Sequence, residues 1–252
     1  MFPEERKANI LRILERNYRI QVNDLTEELK VSESTIRRDL QDLEQEGLLK
    51  RTHGGAVKLE NTSFEPTMDE KEQVNIAAKA EIGKRAAALI EDNDTVILDA
   101  GSTTLQIAKN IKSKNVTVLT NSILIALELS KNNDVEVVVT GGYIRKEIVS
   151  LVGPITDKII KSFRVDKAFI GANSITIEDG YTTPNIDEAH TKSIMIKSSK
   201  EVYIVADNSK FGKVSFSKIA DANEVDGIIT DNGIEQHLIE KYMSKNIQII
   251  YN

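Results

Sequence analysis

Two groups of polar residues in this 252-residue chain have types and spacings that could do chemistry. In the first, Asp99-Ala100-Gly101-Ser102-Thr103-Thr104 follows the apolar run Val96-Ile97-Leu98 and leads into a helical stretch. Backbone N–H groups, hydroxyls and a helix N-terminus would converge there on an anion such as phosphate. Related fragments follow other β-branched runs: Thr120-Asn121-Ser122, Thr140-Gly141-Gly142, Gly171-Ala172-Asn173 and Asp207-Asn208-Ser209-Lys210, the last with a lysine as countercharge. Ser, Thr, Asn and Asp are also ordinary helix caps and turn formers, so it is the recurrence at successive strand ends that points to a ligand. In the second group, Ile36, Leu40 and Leu43 fall on one stripe of a helix, which turns Ser34, Arg38 and Gln41 away from it, with Arg37 on the flank. With Thr35, these side chains carry the donors and acceptors that base edges and phosphates require.

Positioning the second group takes a small helical unit. Pro3 at a first helical turn and Ile10, Leu11 and Leu14 at helical spacing predict a helix over Pro3 to Asn17. A second helix runs from Val22 to Leu29, and the tight link Lys30-Val31-Ser32 leads into the third with Ser32 as its N-cap. Leu48 to His53 and Ala56 to Leu59 flank Gly54-Gly55 and read as a two-stranded wing, which sets Lys50, Arg51, His53 and Lys58 near a hairpin tip. Residues 1–57 therefore form a winged helix-turn-helix, and the polar, aperiodic residues 58–74 a linker. Over residues 75–252, helical stretches alternate with β-branched runs at Thr95–Asp99, Val116–Thr120, Val135–Val139, Lys167–Ile170, Val202–Ala206, Gly227–Thr230 and Ile247–Ile250. That alternation predicts an α/β domain with a mostly parallel sheet, whose ligands bind outside the carboxyl ends of the strands.

Composition limits the alternatives. The chain has no cysteine, which removes disulfides and thiolate-held metal. His53, His190 and His237 are scattered without ligand spacing, so no metal, cofactor or catalytic residue is assigned. The charged start Glu4-Glu5-Arg6-Lys7 and the lack of a long apolar run predict a cytoplasmic protein without membrane contact. The net charge of −6 opposes nucleic-acid binding only on average, since residues 1–60 hold 11 Lys and Arg against 12 Asp and Glu. A DNA footprint must then be a local patch, which Arg37, Arg38, Lys50, Arg51, His53 and Lys58 supply if the fold segregates them.

Val31-Ser32-Glu33-Ser34-Thr35-Ile36-Arg37-Arg38-Asp39-Leu40, with Gly47-Leu48-Leu49 and His53-Gly54-Gly55-Ala56, resembles the DeoR-type bacterial repressors. The resemblance continues through Asp99 to Thr104, Thr120-Asn121, Gly141-Gly142, Asp166 to Asn173, Gly180 to Pro184 and Ala206 to Gly212, and so covers nearly the whole chain. It implies a sensor domain similar in fold to ribose-5-phosphate isomerase and a phosphosugar effector. The phosphate is expected near Gly101, Ser102, Thr103 and Thr104, with hydroxyls near Asp99, Thr120, Asn121, Asn173 and Lys210. It also implies double-stranded operator DNA as partner and a symmetric homodimer or homotetramer. Gly180 to Pro184 with Asp207 to Gly212 looks like fructose-operon repressors, which makes fructose 1-phosphate the first effector to test, ahead of tagatose 6-phosphate and other hexose or amino-sugar phosphates.

The competing reading is a phosphosugar isomerase-like enzyme with an appended DNA-binding domain. Such a reaction needs a positioned carboxylate base, and enzymes resembling this domain carry an acidic run after the strand matching Lys167–Ile170. Here that position reads Gly171-Ala172-Asn173-Ser174, which favours binding without turnover, although Asp99 and Asp207 keep a carboxylate in reach. Glu188 and Lys192 stand near the expected pocket, yet a charged helix face would explain them equally well. The expected function is a repressor of a sugar-metabolism operon that its phosphosugar releases from DNA, although a co-repressor makes the same demands on sequence.

Overall fold

The computed structural model of the chain describes residues 2–17, 19–57, 62 and 65–251. It divides into two compact units, Met1–Pro66 and Thr67–Asn252.

The first unit runs α1 (Pro3–Asn17), β1 (Arg19–Gln21), α2 (Val22–Leu29), α3 (Glu33–Gln45), β2 (Lys50–Thr52) and β3 (Gly55–Val57). The apolar stripes of the three helices meet in one core that includes Ile10, Leu14, Leu25, Ile36, Leu40 and Leu43. Burying each such side chain contributes about 1.5–3 kcal/mol. Ser32 caps α3 as expected, accepting from the Thr35 N–H at 3.3 Å. Beneath α3, the Arg6 guanidinium of α1 grips the Asp39 carboxylate with two hydrogen bonds, one of them 2.9 Å from Nη2 to Oδ1. The wing is three-stranded, in the order β1-β3-β2, because Arg19–Gln21 pairs antiparallel with Gly55–Val57. Gly55 is required by that strand: a Cβ there would lie 1.9 Å from the Ile20 carbonyl oxygen.

The second unit opens with α4 (Met68–Glu72) and α5 (Ile76–Ala88). It continues with β4 (Thr95–Leu98), α6 (Ser102–Ala108), β5 (Val116–Thr120), α7 (Ile123–Leu129), β6 (Val135–Val139), β7 (Tyr143–Arg145), β8 (Ser150–Val152) and α8 (Pro154–Lys161). Then follow β9 (Val165–Gly171), β10 (Ser174–Thr176), β11 (Gly180–Thr183), α9 (Ile186–Lys197), β12 (Ser199–Val205), a 3-10 turn at Asn208–Lys210, β13 (Ser217–Ala220), β14 (Gly227–Ile229), α10 (Gln236–Met243) and β15 (Gln248–Ile250). Seven strands form one sheet in the order β15-β14-β12-β9-β4-β5-β6, every neighbouring pair parallel. They are the seven runs anticipated from sequence.

Alternate residues of each strand supply opposite faces. Ile97, Ala168, Ile170, Ile204 and Ile228 pack with α9 and α10, whereas Val96, Leu98, Phe169, Val205 and Ile229 join the cluster containing Ile82 and Ala86 of α5 and Leu105 of α6. Helices on both faces explain why these strands read as continuous apolar runs. The chain steps outward from β4 through β5 to β6, returns to lay β9 on the other side of β4, and then proceeds to β12, β14 and β15. The order reverses between β4 and β9, which makes their carboxyl ends the switch point.

Two features differ from the sequence expectation. Residues 67–74, assigned there to the linker, belong to the second unit and carry α4. A reciprocal capping box between Thr67 and Glu70 starts that helix, Met68 is buried, and the Met68 N–H donates to the Glu147 carbonyl at 2.7 Å. The rest of the expected linker is described only at residues 62 and 65–66, and Lys58 lies outside the described residues. In addition, β10, β11 and β13 form a separate antiparallel sheet and β7–β8 a hairpin, in three- and four-residue strands too short to show a period.

Candidate functional site

A cleft opens at the switch point. The loop from β4 into α6 forms one wall with Gly101, Ser102, Thr103 and Thr104; the end of β9 supplies Gly171, Ala172 and Asn173; the end of β12 and the turn after it supply Asp207 and Lys210. The N–H groups of Ser102, Thr103 and Thr104 occupy the first turn of α6, where no intrahelical acceptor exists for them. Of the residues expected from sequence to hold a ligand, Gly101, Ser102, Thr103, Thr104, Asn173 and Lys210 line this cleft together.

Lysines dominate its charge: Lys71 of α4, Lys79 of α5, Lys192 of α9 and Lys210 all line it. Asp99 does not line it but lies buried behind, accepting from the Lys192 ammonium and from the Gly171 N–H at 3.0 Å. Glu188 is buried in the lining with Arg145 Nη1 at 3.1 Å and the Thr183 hydroxyl at 3.3 Å. Asp207 is also buried, which pushes its carboxyl up. The Lys210 charge, two hydrogen bonds from Ser209 and the Lys79 charge outweigh that penalty and hold it below the usual carboxylate range. Each carboxylate in or behind the cleft is thus committed to a cation or a donor. Lys79 carries the opposite stress: burial first, then the neighbouring charges of Lys210 and Lys71, push its ammonium down to about 8, against the attraction of Asp207 and Glu72. An anion in the cleft would relieve that stress.

Four sequence candidates serve the scaffold and are not among the lining residues. Thr120 donates to the Leu98 carbonyl at 2.7 Å and accepts from the Ser122 N–H at 3.0 Å. Asn121 is buried and holds the cradle from behind, accepting from the Ala100 N–H and donating to the Leu151 carbonyl, both at 3.0 Å. Gly141 offers its carbonyl to the Thr156 hydroxyl at 2.6 Å. Gly142 turns the chain at φ +125°, where a Cβ would meet Thr156 Oγ1 at 2.1 Å. At these four strand-end positions the hydrogen bonds or the conformational freedom hold loops. Conversely, Glu188 and Lys192 line the cleft, and so do Lys71 and Lys79, which no sequence signal singles out. A lysine on a helix carries no sequence mark of facing inward.

On the first unit, Ser34, Arg37, Arg38 and Gln41 are exposed along α3 and Thr35 is half-buried. Lys50 and His53 are exposed on the wing, and Arg51 is half-buried with its N–H on Glu44 Oε1 at 2.8 Å. Thr35 shares its hydroxyl with the Ser32 cap at 2.8 Å. Arg37 is tied to Glu33 one turn back, at 2.9 Å from Nε. Arg38 has no ion pair among the described residues, so its guanidinium is available to an incoming acceptor.

Known proteins match at both units. Residues 6–62 match the family described as the DeoR-like helix-turn-helix domain, and residues 74–232 the DeoR C terminal sensor domain. The chain is 37% identical over 251 residues to the HTH-type transcriptional regulator GlpR of Haloferax volcanii, covering 99% of this chain and 98% of that protein. It is 37% identical over 248 residues to a Bacillus subtilis protein named as the uncharacterized HTH-type transcriptional regulator FruR, covering 98% of each. Among solved structures, ribose 5-phosphate isomerase A from Methanocaldococcus jannaschii superposes with a TM-score of 0.40 at 17% identity, over 54% of this chain and 55% of that one. No helix among the described residues is long and apolar enough to cross a membrane. With both matches in register with its two units and relatives aligned end to end, the chain belongs to the DeoR family of helix-turn-helix transcriptional regulators.

Proposed function

We propose that this regulator represses a sugar-metabolism operon and is released from its operator by a phosphorylated sugar held in the lysine-lined cleft. The observation that carries the reading is that four lysines line one cleft together with the first turn of α6. A phosphate dianion there would accept from that turn's N–H groups and face the lysine charges. Asn173, Glu188 and Asp207 then offer amide and carboxylate acceptors to sugar hydroxyls. Turnover would ask for a carboxylate poised as a base near neutral pH. Asp207, held below its usual range, suits a hydrogen-bond acceptor better than a proton abstractor.

In the same reading, α3 enters the major groove with Ser34, Thr35, Arg37, Arg38 and Gln41, while Lys50, Arg51 and His53 of the wing meet the backbone or minor groove. The operator is read by a symmetric oligomer, dimer or tetramer. Fructose 1-phosphate is the first effector to test, on the strength of the fructose-repressor-like residues Gly180 to Pro184 and Asp207 to Gly212 and of the relative named FruR. A thermal-shift panel of sugar phosphates, followed by titration of DNA from the protein's own promoter, tests it. One sugar phosphate should raise the melting temperature and weaken DNA binding. Conversion of a sugar phosphate without any binding to promoter DNA would overturn the reading.

A further inference from the structure

Lys71 and Lys79, which line the cleft, flank a short strap of chain that begins just after the boundary between the two units. Both ends of this strap are fastened. At its start, Met68 is buried and its N–H is bonded to the Glu147 carbonyl at 2.7 Å. At its end, the buried Lys79 ammonium donates to the Lys71 carbonyl and, at 2.7 Å, to the Val74 carbonyl. Asn75 Nδ2 donates to Asp207 Oδ1 at 2.8 Å and to Ser209 Oγ at 3.3 Å. Two of the groups that fasten the end, Lys79 and Asp207, themselves line the cleft.

Resting on the phosphosugar reading above, we propose that the strap 67–75 is the element that reads occupancy of the cleft, with Lys79 as the sensing group and Asn75 as the latch. An ammonium has three N–H donors, and two of those on Lys79 are spent on the strap carbonyls. An anion in the cleft takes the third and favours the charged form. The bonds to the Lys71 and Val74 carbonyls thereby strengthen as charge-assisted hydrogen bonds. Occupancy tightens the last turn of α4, a few residues from the boundary between the two units. Asn75 is a clean place to cut this link. It caps no helix with its side chain, it is not a lining residue, and its φ of +54° is one that glycine adopts without strain.

The test is hydrogen exchange of residues 67–80 in the full chain, with and without inorganic phosphate, alongside melting temperatures. In the unaltered protein, phosphate should raise the melting temperature and slow exchange in residues 71–80 by about fivefold or more. Asn75→Gly should keep the phosphate-induced rise in melting temperature but lose most of the slowing; Asn75→Asp, which tolerates the same φ and replaces the Nδ2 donor by an acceptor, serves as the second variant if the glycine weakens folding. A rise in melting temperature with unchanged strap exchange in the unaltered protein overturns the strap and leaves the cleft reading intact. Equal slowing in both Asn75 variants removes the latch and overturns the proposal. No response of either readout to phosphate refutes the cleft reading itself, and the proposal with it.

Discussion

Lys79 makes effector binding depend on pH in a way that can be worked out in advance. Its ammonium is pushed down to about 8, first by burial and then by Lys210 and Lys71, against the support of Asp207 and Glu72. A phosphate dianion beside it would return it toward the ordinary lysine value of about 10.4. The second ionisation of a phosphate ester lies near ~6, so the ligand stays dianionic throughout the window that matters. Between about pH 7 and 9 the charged fraction of ligand-free Lys79 falls roughly tenfold, and the apparent affinity should fall by the same factor, ~1.4 kcal/mol. Ligand-free stability moves the other way. Between the folded value of about 8 and the unfolded lysine value, the unfolded chain holds more protons at this residue, so the Lys79 contribution to stability rises with pH. Calorimetric titration in buffers of different ionisation enthalpy counts the protons directly: about 0.9 taken up per phosphate ester bound at pH 9, and about 0.1 at pH 7. Lys79→Met should flatten the affinity profile. A flat profile in the unaltered protein, or an unchanged tenfold decline in Lys79→Met, refutes the reasoning.

Other positions give separate tests. Arg38→Ala should weaken operator binding by roughly 1–3 kcal/mol and leave sugar-phosphate binding untouched; unchanged operator affinity would mean that the recognition face is misassigned. Thr103→Ala and Lys210→Ala should abolish the effector response while sparing DNA binding in its absence, and loss of folding by circular dichroism would instead make these residues structural. Asp39→Ala strands the buried Arg6 guanidinium and should cost about 3–5 kcal/mol in denaturant unfolding, with Arg6→Ala of similar size. A loss below about 1 kcal/mol would show the pair to be solvated.

How much of this was legible in the sequence depended on the strength of the local signal. Strands covered on both faces are apolar at successive positions, and Val96-Ile97-Leu98 or Ala168-Phe169-Ile170 announce themselves for that reason. The stripe Ile36, Leu40 and Leu43 did the same for α3 and fixed its exposed face. Arg19–Gln21 gave no such sign, because three residues are too few for a period, and its role is set by the distant Gly55–Val57. The start of α4 was written in Thr67 and Glu70, a capping-box spacing, but in a segment whose polar composition otherwise argued for a linker. The cleft was half legible. Gly101 to Thr104 stand where any parallel sheet would place a ligand. Whether Asn121 faces the ligand or braces the loop behind it depends on the Ala100 N–H and the Leu151 carbonyl, which no local pattern encodes. Lys71 and Lys79 enter the cleft only because the turn at Asn75 folds α4 and α5 onto it.

The most direct test of the account is fluorescence anisotropy of labelled promoter DNA titrated with the full-length protein, repeated with each sugar phosphate and with its unphosphorylated parent sugar. The account predicts that one sugar phosphate lowers operator affinity by about 5–150-fold while the parent sugar does nothing. Operator binding that is indifferent to every phosphorylated sugar, or equally sensitive to the parent sugar, would contradict it.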